Sequence, residues 1–251
     1  MNKVFLSVVI PCYNEKENLQ RGVLDEVYDF LVKQNFSWEV IISDDGSTDE
    51  SREFIGKSIK NKANFRLIEN SHGGKPAAVW SGIRASVGEY VLFTDMDQST
   101  PISETTKLTP FFKKFDVIIG SRGMERENFS LVRKTGSNVF RLLRKTILLR
   151  EINDTQCGFK AFRIEVAKKI FPKLQFFKQV KSVKGWRVTS FDVELLFIAE
   201  KLGFRIKEVP IEWKDRDVTK GKKKSYLKES EEMLMQILRV KFNDVRKLYD
   251  K

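Results

Sequence analysis

Val91-Leu92-Phe93-Thr94-Asp95-Met96-Asp97-Gln98-Ser99-Thr100-Pro101 places two carboxylates one residue apart, directly after a short apolar run. The apolar run reads as a buried strand. Side chains of a strand alternate between faces, but at a strand end the chain is turning, so Asp95 and Asp97 can reach one point in space. Hard divalent cations such as Mg²⁺ take carboxylate oxygens, usually one or two of them together with substrate phosphates. An isolated D-x-D is a weak signal, because aspartates also end strands, and Asp97 or Ser99 would serve as a cap for a helix opening at Pro101. The pattern on either side decides its meaning.

Upstream, Phe5 to Ile10 reads as a strand, and a polar helix follows from Glu15 towards Gln34. Trp38 to Ser43 is a second strand, ending in Asp44-Asp45-Gly46-Ser47-Thr48-Asp49, a turn and helix-start signal. Phe65 to Ile68 is a third strand, Lys75 to Ser86 a helix and Tyr90 to Phe93 a fourth strand. Strict alternation of strand and helix predicts an α/β fold: an open, mostly parallel sheet flanked by helices, with ligands at the carboxyl ends of the strands. Glu15, Asp44, Asp45, Asp95 and Asp97 all fall at such ends. Downstream the expected elements are helices over 133–150 and 192–201, strands over 158–163 and 205–210, and a long closing helix over 225–247. The Lys- and Asp-rich stretch Lys214 to Lys224 reads as a mobile loop or linker, which divides the chain into a main domain, 1–213, and a basic loop with a C-terminal helix, 214–251.

The 251 residues suffice for one large core. Lys and Arg number 46 against 34 Asp and Glu, a net charge of +12, so the chain attracts something anionic: nucleic acid, phospholipid headgroups or a phosphorylated substrate. Cys12 and Cys157 are far apart and form no C-x-x-C, which argues against a zinc site or disulfide framework and for reduced thiols. The N-terminus lacks the layout of a secretory signal. No apolar run approaches the roughly 20 residues that cross a bilayer, so membrane contact is expected at the surface only.

Two phosphate motifs are excluded. Gly73-Gly74-Lys75 resembles the end of a P-loop, but the first glycine is missing and Pro76 replaces the hydroxyl residue; there is no G-x-G-x-x-G either. Ser71-His72-Gly73-Gly74 is a turn into a helix or, functionally, a set of backbone N–H groups that with Lys75 face a phosphate. His72, the sole histidine, reads as a loop residue rather than a general base.

In combination the motifs are far more specific. Pro11-Cys12-Tyr13-Asn14-Glu15, Asp44-Asp45-Gly46-Ser47-Thr48-Asp49, Gly73-Gly74-Lys75 and Asp95-Met96-Asp97, in this order and spacing, resemble the inverting nucleotide-sugar glycosyltransferases of the GT-A fold. That family includes the polyprenyl-phosphate sugar synthases. Gly120-Ser121-Arg122, Asp154-Thr155-Gln156-Cys157-Gly158-Phe159-Lys160 and Phe191-Asp192-Val193-Glu194-Leu195-Leu196 look most like its dolichyl-phosphate β-glucosyltransferase branch. The resemblance covers nearly the whole chain and implies a GT-A, Rossmann-like sheet with a C-terminal helical extension.

The resemblance also implies roles. Pro11, Tyr13 and Glu15 would border the uridine of a UDP-sugar, and Asp44 or Asp45 would read the uracil or ribose, with the two not distinguished. Asp95 would face the sugar and ribose while Asp97 binds Mg²⁺ or Mn²⁺. Related mannose synthases add a Gln two places beyond the second Asp; here that place holds Ser99, with Gln98 one earlier. Arg122, Arg133 and Ser137 match positions that hold the acceptor's phosphate, a task suited to guanidinium. Asp192 and Glu194 would orient the acceptor or sugar hydroxyls, or pair with arginines. The implied reaction moves glucose from UDP-glucose to a polyprenyl (dolichyl) phosphate with inversion. The alternative within the class is a mannose synthase using GDP-mannose. Val139 to Arg150 interleaves aliphatic residues with four cations, as in a helix lying in a membrane interface. Lys220-Gly221-Lys222-Lys223-Lys224 would add attraction to anionic lipid. The expected location is the cytoplasm, peripherally attached to a cytoplasmic membrane face. The eukaryotic members carry an N-terminal membrane span that is not in this sequence. A nucleic-acid-binding protein would need an aromatic-studded basic surface, whereas here the sheet rim carries acids and the aromatic residues lie inside apolar runs. A sugar nucleotidyltransferase would need a Gly-rich basic loop straight after strand one, where Pro11-Cys12-Tyr13-Asn14-Glu15 stands.

Overall fold

A computed structural model describes residues 3–123, 148–149, 152–179, 191–219 and 226–250, the side chains of 226–233 excepted. Arg133, Ser137, most of Val139 to Arg150 and Lys220 to Lys224 lie outside the described residues.

The strands are β1 (Leu6–Cys12), β2 (Trp38–Asp44), β3 (Phe65–Glu69), β4 (Tyr90–Phe93), β5 (Val117–Ser121), β6 (Lys160–Arg163) and β7 (Ile206–Pro210). They form one sheet in the order β3-β2-β1-β4-β6-β5-β7. All neighbours are parallel except those of β6, which runs antiparallel to both β4 and β5. The helices are α1 (Lys16–Gln20), α2 (Val23–Leu31), α3 (Ser51–Ile59), α4 (Lys75–Ala85), α5 (Thr105–Leu108), α6 (Ile164–Ile170), α7 (Phe176–Gln179), α8 (Phe191–Lys201) and α9 (Tyr226–Val245). Period-two alternation sorts the strands onto two cores. Leu6, Val8, Ile10, Trp38, Val40, Ile42, Tyr90 and Leu92 face one cluster, shared with α1 and α2. Val9, Ile41, Val91 and Phe93 face the other, with α4, α6, α8 and α9.

Parallel pairing turns the strand exits to one edge, with β4 ending three residues short of β1. Cys12 lies opposite Asp44, Asp44 opposite Glu69, and Val9 opposite Phe93, so β1, β2 and β4 end on one rim. The antiparallel β6 starts where β4 ends, with Lys160 opposite Phe93. Its entry therefore reaches the same rim as the exits of β5 and β7.

Three departures from the sequence reading have physical causes. The helix expected from Glu15 towards Gln34 is two helices, because Gly22 stands at φ +82° between them. That left-handed geometry suits glycine and ends α1. The helix expected after Pro101 is a short α-helical turn between 3₁₀ turns at Ile102–Glu104 and Thr109–Phe111, where Thr105 and Thr106 hydroxyls donate to carbonyls three residues back and Pro110 lacks a donor. The strand β5 and helix α6 were not anticipated at all. Gly22→Ala should destabilise the protein by roughly 1–2 kcal/mol from backbone strain alone, because a Cβ there meets only Asp25, 3.7 Å away. Thermal melting of the variant checks this; an unchanged midpoint would show that the α1–α2 corner relaxes.

Candidate active site

The site is a row of carboxylates along the rim. Asp44 ends β2 and Asp45 follows it, both fully buried. Asp45 accepts the backbone N–H groups of Gly73 and Gly74, each at 2.8 Å, and lies 2.8 Å from His72 Nδ1. Burial raises its pKa, against these three partners. His72 in turn stacks on Tyr13, with ring centroids 4.4 Å apart and planes at 20°. The histidine thus builds an aromatic shelf at the mouth of the site.

Asp44 Oδ2 accepts Gly46 N–H at 3.0 Å, Ser47 N–H at 3.1 Å and Arg52 Nε at 2.6 Å. Its Oδ1 is buried with no hydrogen-bond partner among the described residues. Such an atom is costly unless something donates to it. Of the two acids after β2, Asp44 is therefore the one with an acceptor to offer.

Asp95 is ion-paired with Lys75, the first residue of α4. Burial would push the lysine's pKa down, but Asp95, Asp192 and Asp97 outweigh it and the net shift is upward. Asp192, which opens α8, sits 2.6 Å from the fully buried Lys160 Nζ. Charges thus alternate inward from Asp95: Asp95, Lys75, Asp192, Lys160. Gly158, just before β6, lies against Asp95, and a Cβ there would fall 2.0 Å from Asp95 Oδ2. Only glycine lets this loop approach the carboxylate so closely.

Asp97 Oδ1 accepts the Ser99 N–H at 2.8 Å. Burial first, and then the negative charge of Asp95, hold its pKa above the ordinary aspartate value; Asp217 adds to the same effect. Gln98 turns away: at φ +49° its side-chain amide donates 2.8 Å to the Asp95 carbonyl. Ser99 is a stitch, its carbonyl accepting Lys214 N–H at 2.9 Å and its hydroxyl Arg216 N–H at 3.1 Å.

The segment 211–219, which leaves β7, is accordingly fixed to the rim as far as it is described. Arg216 forms a two-pronged pair with Glu26 at 2.7 and 2.9 Å. Asn18 Nδ2 bridges Glu15 Oε2 at 2.6 Å and Asp217 Oδ1 at 3.0 Å. Arg21 donates to the carbonyls of Asp97, at 2.6 Å, and Arg216. Asn18, Arg21, Arg52 and Asp217 escaped the sequence reading. They sit on or at the ends of short helices or in a charge-rich stretch, and only the fold shows what they face.

Arg122 Nε and Nη2 grip Asp154 at 2.8 and 2.9 Å, and the guanidinium lies 5.8 Å from the Trp213 ring. This holds the Asp154 carboxyl well below its usual range despite burial. Two of the five guanidinium N–H groups are used in the pair. Pro11 is buried in β1 and Glu15 is nearly so. Cys12 and Cys157 are free and buried, with thiol pKa values raised by burial.

Among the described residues no group of three or more His, Cys, Asp or Glu side chains forms a metal cage. The Asp95–Asp97 pair nevertheless suits a divalent cation. Two close carboxylates, one with its charge already disfavoured, gain from a cation, and phosphates would complete the ligand set.

Residues 7–171 match the family model of glycosyl transferase family 2. The dolichyl-phosphate β-glucosyltransferase of Dictyostelium discoideum is 32% identical, covering 96% of this chain and 75% of its own. The protein of that name from Saccharomyces cerevisiae is 34% identical over 87% of this chain and 69% of its own. In structure, glucosyl-3-phosphoglycerate synthase of Mycobacterium tuberculosis, solved with Mn²⁺, UDP and glucosyl-3-phosphoglycerate, has a TM-score of 0.62 at 19% identity over 95% of this chain and 78% of that one. Mannosyl-3-phosphoglycerate synthase of Rubrobacter xylanophilus gives 0.66 at 15% identity over 97% and 74%. The fold is GT-A, and the chain belongs to glycosyl transferase family 2.

Glu194, two residues beyond Asp192 and so about 200° round α8, does not face this site. It accepts Tyr249 Oη at 2.7 Å and Gln175 N–H at 3.0 Å, latching the C-terminus onto α8. Burial raises its pKa in spite of these donors. A carboxyl that binds its proton more tightly when folded makes stability fall as pH climbs from the unfolded value, about 4.3, to the folded one. Glu194→Gln keeps an acceptor oxygen and removes the charge. Thermal melts across pH should show the parent losing stability relative to this variant above pH of about 4.3; parallel curves would show that Glu194 titrates normally.

Proposed function

We propose that this enzyme transfers glucose from UDP-glucose to a polyprenyl (dolichyl) phosphate with inversion, giving the β-linked lipid phosphate sugar. The observation that carries the reading is the Asp95–Asp97 pair at the end of β4, backed by Lys75 and closed from the other side by Gly158. The names of the curated relatives support the lipid acceptor and the glucosyl group.

In this reading the Tyr13–His72 shelf takes the base, with Asp44 Oδ1 accepting an N–H from it and Pro11, Glu15 and Asp45 shaping the pocket. Asp95 and Asp97 would hold Mg²⁺ or Mn²⁺, which supplies charge neutralisation for the departing diphosphate. Lys75, paired with Asp95, adds positive charge beside the same leaving group. A phosphate oxygen of the acceptor forms the new bond to the anomeric carbon from the face opposite the diphosphate, as the bond to UDP breaks. That oxygen is already ionised at neutral pH, so no strong base is required, in keeping with a chain whose single histidine is held by Asp45. Arg122 meets the acceptor phosphate with the N–H groups not committed to Asp154, assisted by Arg133 and Ser137. Rate enhancement comes from alignment of the two phosphates. The enzyme works on the cytoplasmic face of a membrane; among the described residues no helix is long and apolar enough to cross one.

The test is transfer of radiolabelled sugar from UDP-glucose, UDP-galactose, UDP-N-acetylglucosamine and GDP-mannose into a short-chain polyprenyl phosphate, with Mg²⁺, Mn²⁺ or EDTA. UDP-glucose should be the donor, EDTA should stop transfer, and Asp97→Ala should lower it by roughly 10²–10³-fold, the scale of a lost transition-state charge contact. Gly158→Ala should cost as much through Asp95 while leaving the fold intact. Transfer from GDP-mannose instead would reassign the donor, and transfer into no lipid phosphate would remove the acceptor.

A further inference from the structure

Helix α9 has two apolar faces, and only one meets the core. Ile237 and Val240 are fully buried, joined by the nearly buried Gln236 and Asn243. On another side Leu234, Met235, Leu238, Phe242 and Val245 are exposed, Phe242 to 60% and Val245 to 69%. With 3.6 residues per turn these five fall within an arc of about 100°. Lys241 borders one edge of that arc, Arg239 and Arg246 the other, and all three are exposed. Arg246 lies 5.4 Å from the Phe242 ring. Single exposed apolar residues are ordinary, whereas a contiguous patch rimmed by polar groups marks an interaction surface.

We propose that this face of α9 docks on an anionic phospholipid surface. An apolar arc bracketed by long cationic side chains is what a helix in a membrane interface presents: the arc enters the acyl boundary while lysine and arginine reach the headgroups. Charge favours lipid over a second copy of the chain, since a two-fold contact would set the same cations against themselves, on a protein already at +12. Asp244, the acid within this stretch, is committed to Lys201 and Lys241. Position agrees. Arg239 acts on Glu194 and Asp244 pairs with Lys201, so α9 runs in the same sense as α8, which begins at the rim with Asp192. The upstream turns of α9 therefore lie towards the rim, where the lipid phosphate would arrive; in that respect the inference rests on the proposed acceptor.

Flotation of the full chain with vesicles tests it, using phosphatidylcholine alone and phosphatidylcholine with phosphatidylserine, at low and high salt. Binding should need the anionic lipid and weaken with salt. Leu238→Asn with Phe242→Asn, and separately Arg239→Gln with Arg246→Gln, should each lower binding by about tenfold or more. Their melting curves, and their turnover of a short-chain acceptor in vesicle-free buffer, should match the parent. Equal binding by the apolar pair of substitutions, or no binding by the parent, overturns the proposal. So does a concentration-dependent dimer in vesicle-free buffer that the same pair abolishes, which would give the face to a second copy. The two readings fail separately: transfer to the short-chain acceptor without vesicle binding removes the docking face alone, and vesicle binding without transfer to any lipid phosphate removes the reaction alone.

Discussion

Asp95 and Asp97 repel one another at the end of a buried strand, and the rim is arranged around that repulsion. Lys75 answers Asp95, Asp192 answers Lys75, and Lys160 answers Asp192 beneath the Phe93 ring. Each buried charge is tolerated because the next one neutralises it; an unpaired charge at any of these places would be expensive. Among the described residues Asp97 alone in the series has no salt-bridge partner, and its raised pKa registers its burial and that excess of charge. A divalent cation at this point therefore completes a pattern that the side chains begin.

The antiparallel β6 makes the pattern possible. A parallel strand beside β4 would enter the sheet from the opposite edge and deliver its leading loop far from the rim. Running the other way, β6 brings Gly158 against Asp95 and Lys160 opposite Phe93. β5, which borders it, and β7 beyond β5 inherit the geometry, so Arg122 leaves β5, and Trp213 follows β7, on the same edge. The Arg122–Asp154 grip beneath Trp213 then closes the side of the site away from Tyr13.

The first half of the sheet was legible from the sequence because its strands are apolar runs closed by acids or glycines, each followed by a helix. In the second half β6 and β7 were legible as well, but β5 was not. Val117 to Ser121 is a run of five residues whose strand character comes from its neighbours β6 and β7, not from its own pattern. The carboxylates of the site were legible because they stand at strand ends. Their partners were hidden, since Arg21 reaches the Asp97 carbonyl across 76 residues of sequence, and Asn18 reaches Asp217 across 199. Asp192 and Glu194 show the limit most plainly: two acids two residues apart, one turned to the rim and the other to Tyr249, separated by which face of α8 each occupies.

The stretch 211–219 draws these threads together. Its sequence suggests a solvated linker, yet Lys214, Arg216, Asp217 and Val218 each find a partner on the 97–99 turn or on α1 and α2. Those contacts place Asp217 where its charge adds to the load on Asp97. A strap that were merely a tether would have no reason to bring a further acid to a crowded rim. A cation there would relieve Asp95, Asp97 and Asp217 at once, and loading of the site would then favour seating of the strap. The chain continues from this strap towards α9, which links the acidic rim to the one helix of the described residues with a wide apolar face open to solvent.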